Sequence, residues 1–156
     1  MPIFISANTI LGRLGTDAPI ATLLKLINTH GLQNLLYGTA AATLSHRELN
    51  NLDFSYNSVF SKKFKTSVQS TIIECQFYCG NLPFFLSYDL YRFVFLRKLL
   101  AQGILNLKSS LDAIDVNDLT LLQNKYNFSL GDSLYTLKTK IWRFFSNILG
   151  VSTSER

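Results

Sequence analysis

Between Leu44 and Leu100 apolar residues return at three- and four-residue intervals through three consecutive segments, and sustained two-residue alternation is absent. That periodicity commits this part of the chain to amphipathic helices and leaves no sheet for it to join. The punctuation agrees. Ser45 and Glu48 form an S-x-x-E capping box, with Leu44 and Leu49 placed to staple it. Leu49, Leu52, Tyr56, Val59, Phe60 and Phe64 then trace one stripe, and Lys62, Lys63 and Lys65 crowd its end, where cations suit the helix dipole. A helix from about Ser67 carries Ile72, Ile73, Gln76 and Cys79 and stops at Gly80; after Leu82-Pro83 an aromatic helix is predicted over Phe84 to Ala101, closed by Gly103.

The flanks read in the same way. A short element is predicted over Ile3 to Leu14, ending at Gly15. Asp17 and Pro19 announce the next helix, whose stripe is Ile20, Leu23, Leu24, Ile27, Leu35 and Leu36, with a weak point at Gly31 and an end near Gly38 and the small run Thr39 to Ala42. Beyond the central block, residues 105–116 read as a loop or linker and Asn117 to Tyr126 as a short helix. A final helix is capped by Asp132 or Ser133, runs along Leu134, Leu137, Ile141, Phe144, Phe145 and Ile148, and ends at Gly150, before a frayed tail over 151–156. The expected fold is all-α, an irregular bundle of five to six helices, with a helical region over 1–104 and a helical pair over 117–150 packing on it.

With 156 residues and 47% hydrophobic content, one core of ordinary size is within reach, and 16% charged residues argue against an extended disordered chain. The net charge of +5 is concentrated before residue 109 and favours anionic partners, nucleic acid first. No secretory signal is read at the start, and Asn28, Thr29, His30, Gln33 and Asn34 interrupt the stretch without charged residues from Leu26 to His46, against a membrane span. Cys75 and Cys79 are too few for a disulfide scaffold and read as reduced thiols of an intracellular protein, cytoplasmic or nuclear.

Chemistry-bearing patterns are sparse. There is no adjacent Asp-Asp pair of the kind that holds two metal ions in a nucleotide polymerase. Asp112, Asp115 and Asp118 recur every third residue, but without the glycine and glutamate of a calcium loop they read as helix-capping and loop-solvating residues. Cys75 and Cys79 lie one helical turn apart as half a metal site, yet the histidines His30 and His46 are far upstream, so buried structural thiols are favoured. Gly12 and Gly15 resemble a fragment of a phosphate loop without its lysine, and helix termination is the simpler account. No catalytic residue, metal site or cofactor is therefore assigned. What remains is a set of long cationic arms set among aromatics, able to hold phosphates while rings stack on sugars or bases: Lys62, Lys63 and Lys65 at one helix end, and Arg92, Arg97 and Lys98 reaching outward beside Tyr88 and Tyr91. The alternative is that these charges are solvated faces of core-packing helices.

The order of the segments adds a resemblance. A-N-T-I-L-G-R-L-G, L-L-K-L-I-N-T-H-G-L-Q-N-L-L-Y-G, L-S-H-R-E-L-N-N-L-D-F-S-Y-N-S-V-F-S-K-K-F-K, I-I-E-C-Q-F-Y-C-G-N-L-P and Y-D-L-Y-R-F-V-F-L-R-K-L-L follow one another as in the region after the catalytic domain of reverse transcriptases from non-LTR (LINE-type) retrotransposons. The closing D-L-T-L-L-Q-N-K-Y and S-L-Y-T-L-K-T-K-I-W-R-F-F are similar to the tails of such proteins. Gln33 stands where that family commonly has proline, and Ala40 where an acidic residue is common. The resemblance implies a non-catalytic, thumb-like region that packs beside a polymerase palm lying upstream and contacts an RNA/DNA template-primer duplex; the parent activity is RNA-directed DNA synthesis. Met1 is then read as the first start codon inside such an element. A helical protein-interaction module and a decayed open reading frame stand as the alternatives.

Overall fold

The computed structural model describes residues 18–101 and 113–151, together with Thr9, Gly12 and Arg13. The described residues are all-α, six helices without a strand, as the periodicity predicts. The element expected over Ile3 to Leu14 lies largely outside them, as do Gly103 and the tail 152–156. Two compact units make up the chain, Met1–Phe85 and Leu86–Arg156. The sequence reading divides the chain at residue 105 instead.

In the first unit, helix α1 (20–39) is built of three segments: α-helical Ile20–Leu26, π-helical Ile27–Leu32 and α-helical Gln33–Thr39. Gly31 does not break it. The core positions explain the wider turn, because Ile27 and Leu32 are both buried yet five residues apart, a separation that the i→i+5 repeat of a π turn returns to one side and an α turn does not. Leu23, Leu24 and Leu36 complete the buried stripe, and the helix ends at Thr39 with Ala40 buried behind it.

Helix α2 (His46–Phe64) opens on the predicted capping box: the Glu48 amide donates to Ser45 Oγ at 3.3 Å, and the Ser45 amide donates to Glu48 Oε2 at 2.9 Å. The Ser45 hydroxyl and amide hold the Glu48 carboxyl below its usual range. Tyr56, Val59 and Phe60 are fully buried, and Phe64 at the end of the stripe is 40% exposed. Helix α3 (Gln69–Tyr78) starts two residues after the predicted Ser67 and packs on α2. The two helices share a buried polar chain, in which Gln76 Nε2 donates to Asn57 Oδ1 at 2.6 Å and Asn57 Nδ2 to Asp53 Oδ2 at 2.9 Å. Asn28, in the π turn, donates to Asn81 Oδ1 at 2.6 Å just past α3. Burial raises the Asp53 carboxyl, opposed by Asn57 and by the amides of Phe84 and Phe85.

The second unit opens on helix α4 (Phe84–Ala101), whose first two residues close the first unit. Its bounds are the predicted ones. Leu86, Ser87, Tyr88, Leu90, Arg92, Phe93 and Leu96 are all buried, so side chains are covered around the helix rather than along one stripe. Helix α5 (Ala113–Tyr126) begins one turn earlier than the predicted Asn117, with Asp115 in its first turn, where a carboxylate suits the dipole. Helix α6 (Leu134–Ile148) packs on α5. Ser133 is its cap, accepting from the Thr136 amide at 3.1 Å. Leu137, Ile141 and Phe145 are buried; Leu134 and Ile148, predicted for the same stripe, are half exposed at its ends. Rings of Phe93, Tyr126, Phe128 and Phe144 meet with centroids 4.8 to 5.1 Å apart.

Four helices end in the same way. An amide bonds the carbonyl five residues back from Thr66, Asn81, Phe128 and Val151, around a left-handed residue at Lys65, Gly80, Asn127 and Gly150. Gly80 and Gly150 are the predicted terminators. Lys65 occupies the same conformation with a Cβ, at a cost of about 1 kcal/mol, while Asn127 is of a type that tolerates it.

Opposite stability changes are expected from two substitutions at these ends: Gly80→Ala should lower, and Lys65→Gly raise, the free energy of unfolding in urea by about 1 kcal/mol each. Asp53→Asn tests the buried carboxyl. Because its folded pKa is raised, the stability Asp53 contributes is full below its unfolded pKa of about 3.9 and is lost as pH rises through the folded value. The asparagine variant should therefore melt above the parent at pH 7, with the gap closing below about pH 4; a gap that widens on acidification would contradict the assignment.

Candidate nucleic-acid interface

The six cations singled out by the sequence fall into two sets. Lys62, Lys63 and Lys65 lie at the end of α2, in the first unit. Lys62 and Lys65 are exposed, and Phe64, 40% exposed, stacks its ring on Phe60 at 6.5 Å. The left-handed turn at Lys65 is what sets its side chain at the tip of the helix. Lys63 points elsewhere: half-buried, its ammonium donates to the Ala18 carbonyl at 2.5 Å. Lys62 and Lys65 thus make the exposed basic positions at this helix end.

Arg92, Arg97 and Lys98 lie on α4 in the second unit. The expectation that all three reach outward does not hold for Arg92. Its side chain is 2% exposed, and Nη2 donates to Asp115 Oδ1 and, at 3.3 Å, to Asp118 Oδ2. A guanidinium removed from water needs opposite charge beside it, and the two aspartates supply it. Asp115 and Asp118, read from sequence as capping and loop-solvating residues, therefore hold a cation after all, one belonging to the chain; Asp112 lies outside the described residues. Arg97 is half-buried and donates from Nη1 to the Asp132 carbonyl and, at 3.5 Å, to that of Leu130, fixing the turn ahead of α6. Lys98 is exposed. Beside them Tyr88 is buried and Tyr91 half-buried.

Other ionic contacts in the second unit are also internal. Asp89 accepts from Lys125 Nζ at 2.8 Å and from the Tyr126 hydroxyl at 2.5 Å, and burial, with Asp89 beside it, pushes that hydroxyl far above its ordinary pKa. Asp132 accepts from Lys140 Nζ at 2.7 Å and from the Ser129 amide at 2.8 Å, which hold its carboxyl below the usual range.

Cys75 and Cys79 are free thiols, half-buried, both pushed up by burial and by neighbouring charge, Glu74 at Cys75 and Cys75 at Cys79. A raised thiol is a poor nucleophile and a poor metal ligand. Among the described residues no three His, Cys, Asp or Glu side chains gather to hold a metal ion, and no helix is long and apolar enough to cross a membrane. Sequence reasoning passed over Lys138 and Arg143, both exposed on α6; their i, i+5 placement around Trp142 was the available signal.

Comparison of the chain with protein-family models, curated proteins and solved structures returns no match.

Removing the partners of Arg92 should be costly. In the double variant Asp115→Asn, Asp118→Asn the buried guanidinium loses its countercharges, and the unfolding free energy should fall by about 3 kcal/mol in urea titrations. A loss below about 0.5 kcal/mol, the scale of an exposed pair, would show that Arg92 is not held as described.

Proposed function

We propose that this chain is a non-catalytic, thumb-like helical piece of a LINE-type reverse transcriptase that holds the phosphates of a template-primer duplex. The observation that supports the reading best is the tip of α2, where Lys62 and Lys65 are both exposed at the end of the helix. Lysine ammoniums are point charges on flexible stems, suited to following a phosphate backbone with little sequence preference. Lys98 joins them as an exposed cation on α4, while Lys63 and Arg97 serve chiefly as ties to backbone carbonyls. Arg92 takes no part in phosphate contact, being buried between carboxylates. The colinear sequence motifs supply the polymerase context, an upstream palm as natural neighbour, and an intracellular setting.

A second reading is favoured by a different observation. Tyr37, Phe54 and Tyr78 are 82%, 73% and 77% exposed on three helices of the first unit, rings of the kind that anchor protein interfaces. In that reading the unit docks on another protein.

A salt titration of RNA/DNA duplex binding separates the two. The variant Lys62→Gln, Lys65→Gln should bind more weakly, and the slope of log affinity against log salt should flatten by about 1.8, the loss of two phosphate contacts. Because Lys65→Gly is expected to stabilise the fold, reduced binding by that variant cannot be ascribed to unfolding. An unchanged slope would sink the assignment, and a parent chain that self-associates but ignores duplex at low salt would favour the protein-docking reading.

A further inference from the structure

We infer that the outer face of α6 binds single-stranded nucleic acid, at a surface separate from the lysines of α2 and independent of the polymerase reading. Leu134–Ile148 contains no acidic residue. Its apolar face is occupied, since Leu137, Ile141 and Phe145 are 0%, 0% and 1% exposed. Steps of three and four residues join Tyr135 to Lys138 and Trp142, and steps of four join Tyr135 to Thr139 and Arg143, so the two cations lie on either side of the Tyr135–Trp142 line, about 140° apart around the axis. Tyr135 is 81% exposed; Lys138, Thr139 and Arg143 are exposed and Trp142 half-buried, its ring set against Phe145 at 5.7 Å.

The charge pattern of the second unit singles out this face. Every described acid there is already engaged: Asp89 with Lys125, Asp115 and Asp118 with Arg92, Asp132 with Lys140. Lys140, on the same helix, is drawn to Asp132 and to the Asn127 carbonyl at 2.7 Å, away from the face in question. Lys138 and Arg143 have no acid partner among the described residues, so the positive field of α6 is left facing outward on either side of Tyr135 and Trp142.

Aromatic plates flanked by cations with no acid partner among the described residues suit one class of ligand. Rings stack on bases while the ammonium and guanidinium neutralise the phosphates between them. Stacking requires bases not already stacked in a duplex, which selects a single strand. An anionic membrane is the weaker fit, because Leu137, Ile141 and Phe145 are in the core and the outward face alternates rings with Thr139 and cations, leaving no continuous apolar stripe to insert.

The chain's single tryptophan, Trp142, reports directly on this face. Titrating the full chain with oligo(dT) of about twelve nucleotides should quench its emission. The variant Lys138→Ala, Arg143→Ala should flatten the salt slope by about 1.4, two contacts to a single strand, and Tyr135→Ala should weaken affinity roughly tenfold. All three positions are exposed, and circular dichroism should show unchanged helix content. The charge-matched variant Lys25→Ala, Arg47→Ala should retain parental affinity. An unmoved Trp142 emission, or an equal loss in the charge-matched variant, would overturn the proposal. So would a response to phosphatidylserine vesicles with none to oligo(dT).

Discussion

Burial of the Arg92 guanidinium is the constraint on which the second unit depends. A cation almost wholly out of water is tolerable only against countercharge, so α5 must present two carboxylates on one face at the level of Arg92. Asp115 and Asp118, three residues apart on α5, do this. The register is then fixed a second time with the charges reversed, as Asp89 on α4 takes Lys125 and Tyr126 from the last turns of α5. Sliding α5 along α4 would separate both sets together. Opposite polarities at the two ends specify one arrangement where aromatic packing alone would accept several.

The first unit solves a similar problem with neutral groups. Asn57 and Gln76 are buried and bonded to one another across α2 and α3, and Asp53 is drawn into the chain by Asn57 and the amides that open α4. Its raised carboxyl shows that burial outweighs those bonds, so charge here is carried at a cost. Tyr56, fully buried next to Asp53, is pushed in the same direction by burial and by that charge.

What could be read from the sequence was local. Ser45 with Glu48, Gly80, Gly150, and the span from Phe84 to Ala101 each carry their signal within a few residues, and the structure places them as read. Features set by distant partners were silent. Nothing beside Lys65 announces a left-handed residue where glycine is usual, and the π turn at Ile27–Leu32 follows from which side chains reach the core rather than from Gly31. Arg92 and Arg97 looked alike, because the difference between them lies in Asp115, Asp118 and the Asp132 carbonyl, 23 to 35 residues away. The candidate site suffered most from this, since exposure rather than residue type decides which cations are available to a ligand.

The two basic surfaces differ in what the backbone lends them. Lys62 and Lys65 sit at the C-terminal end of α2, where the carbonyls carry the negative end of the dipole and repel a phosphate. Any attraction there comes from the side chains alone, held out on long stems against an adverse backbone field, and it must be steeply screened by salt and indifferent to sequence. Lys138 and Arg143 lie within α6, with backbone groups of that stretch bonded along the helix and no terminus imposing its charge. Rings at Tyr135 and Trp142 add an attraction that salt does not screen. In the proposed roles, then, the tip of α2 suits a charged rod followed by its phosphates, and the face of α6 a strand whose bases are open.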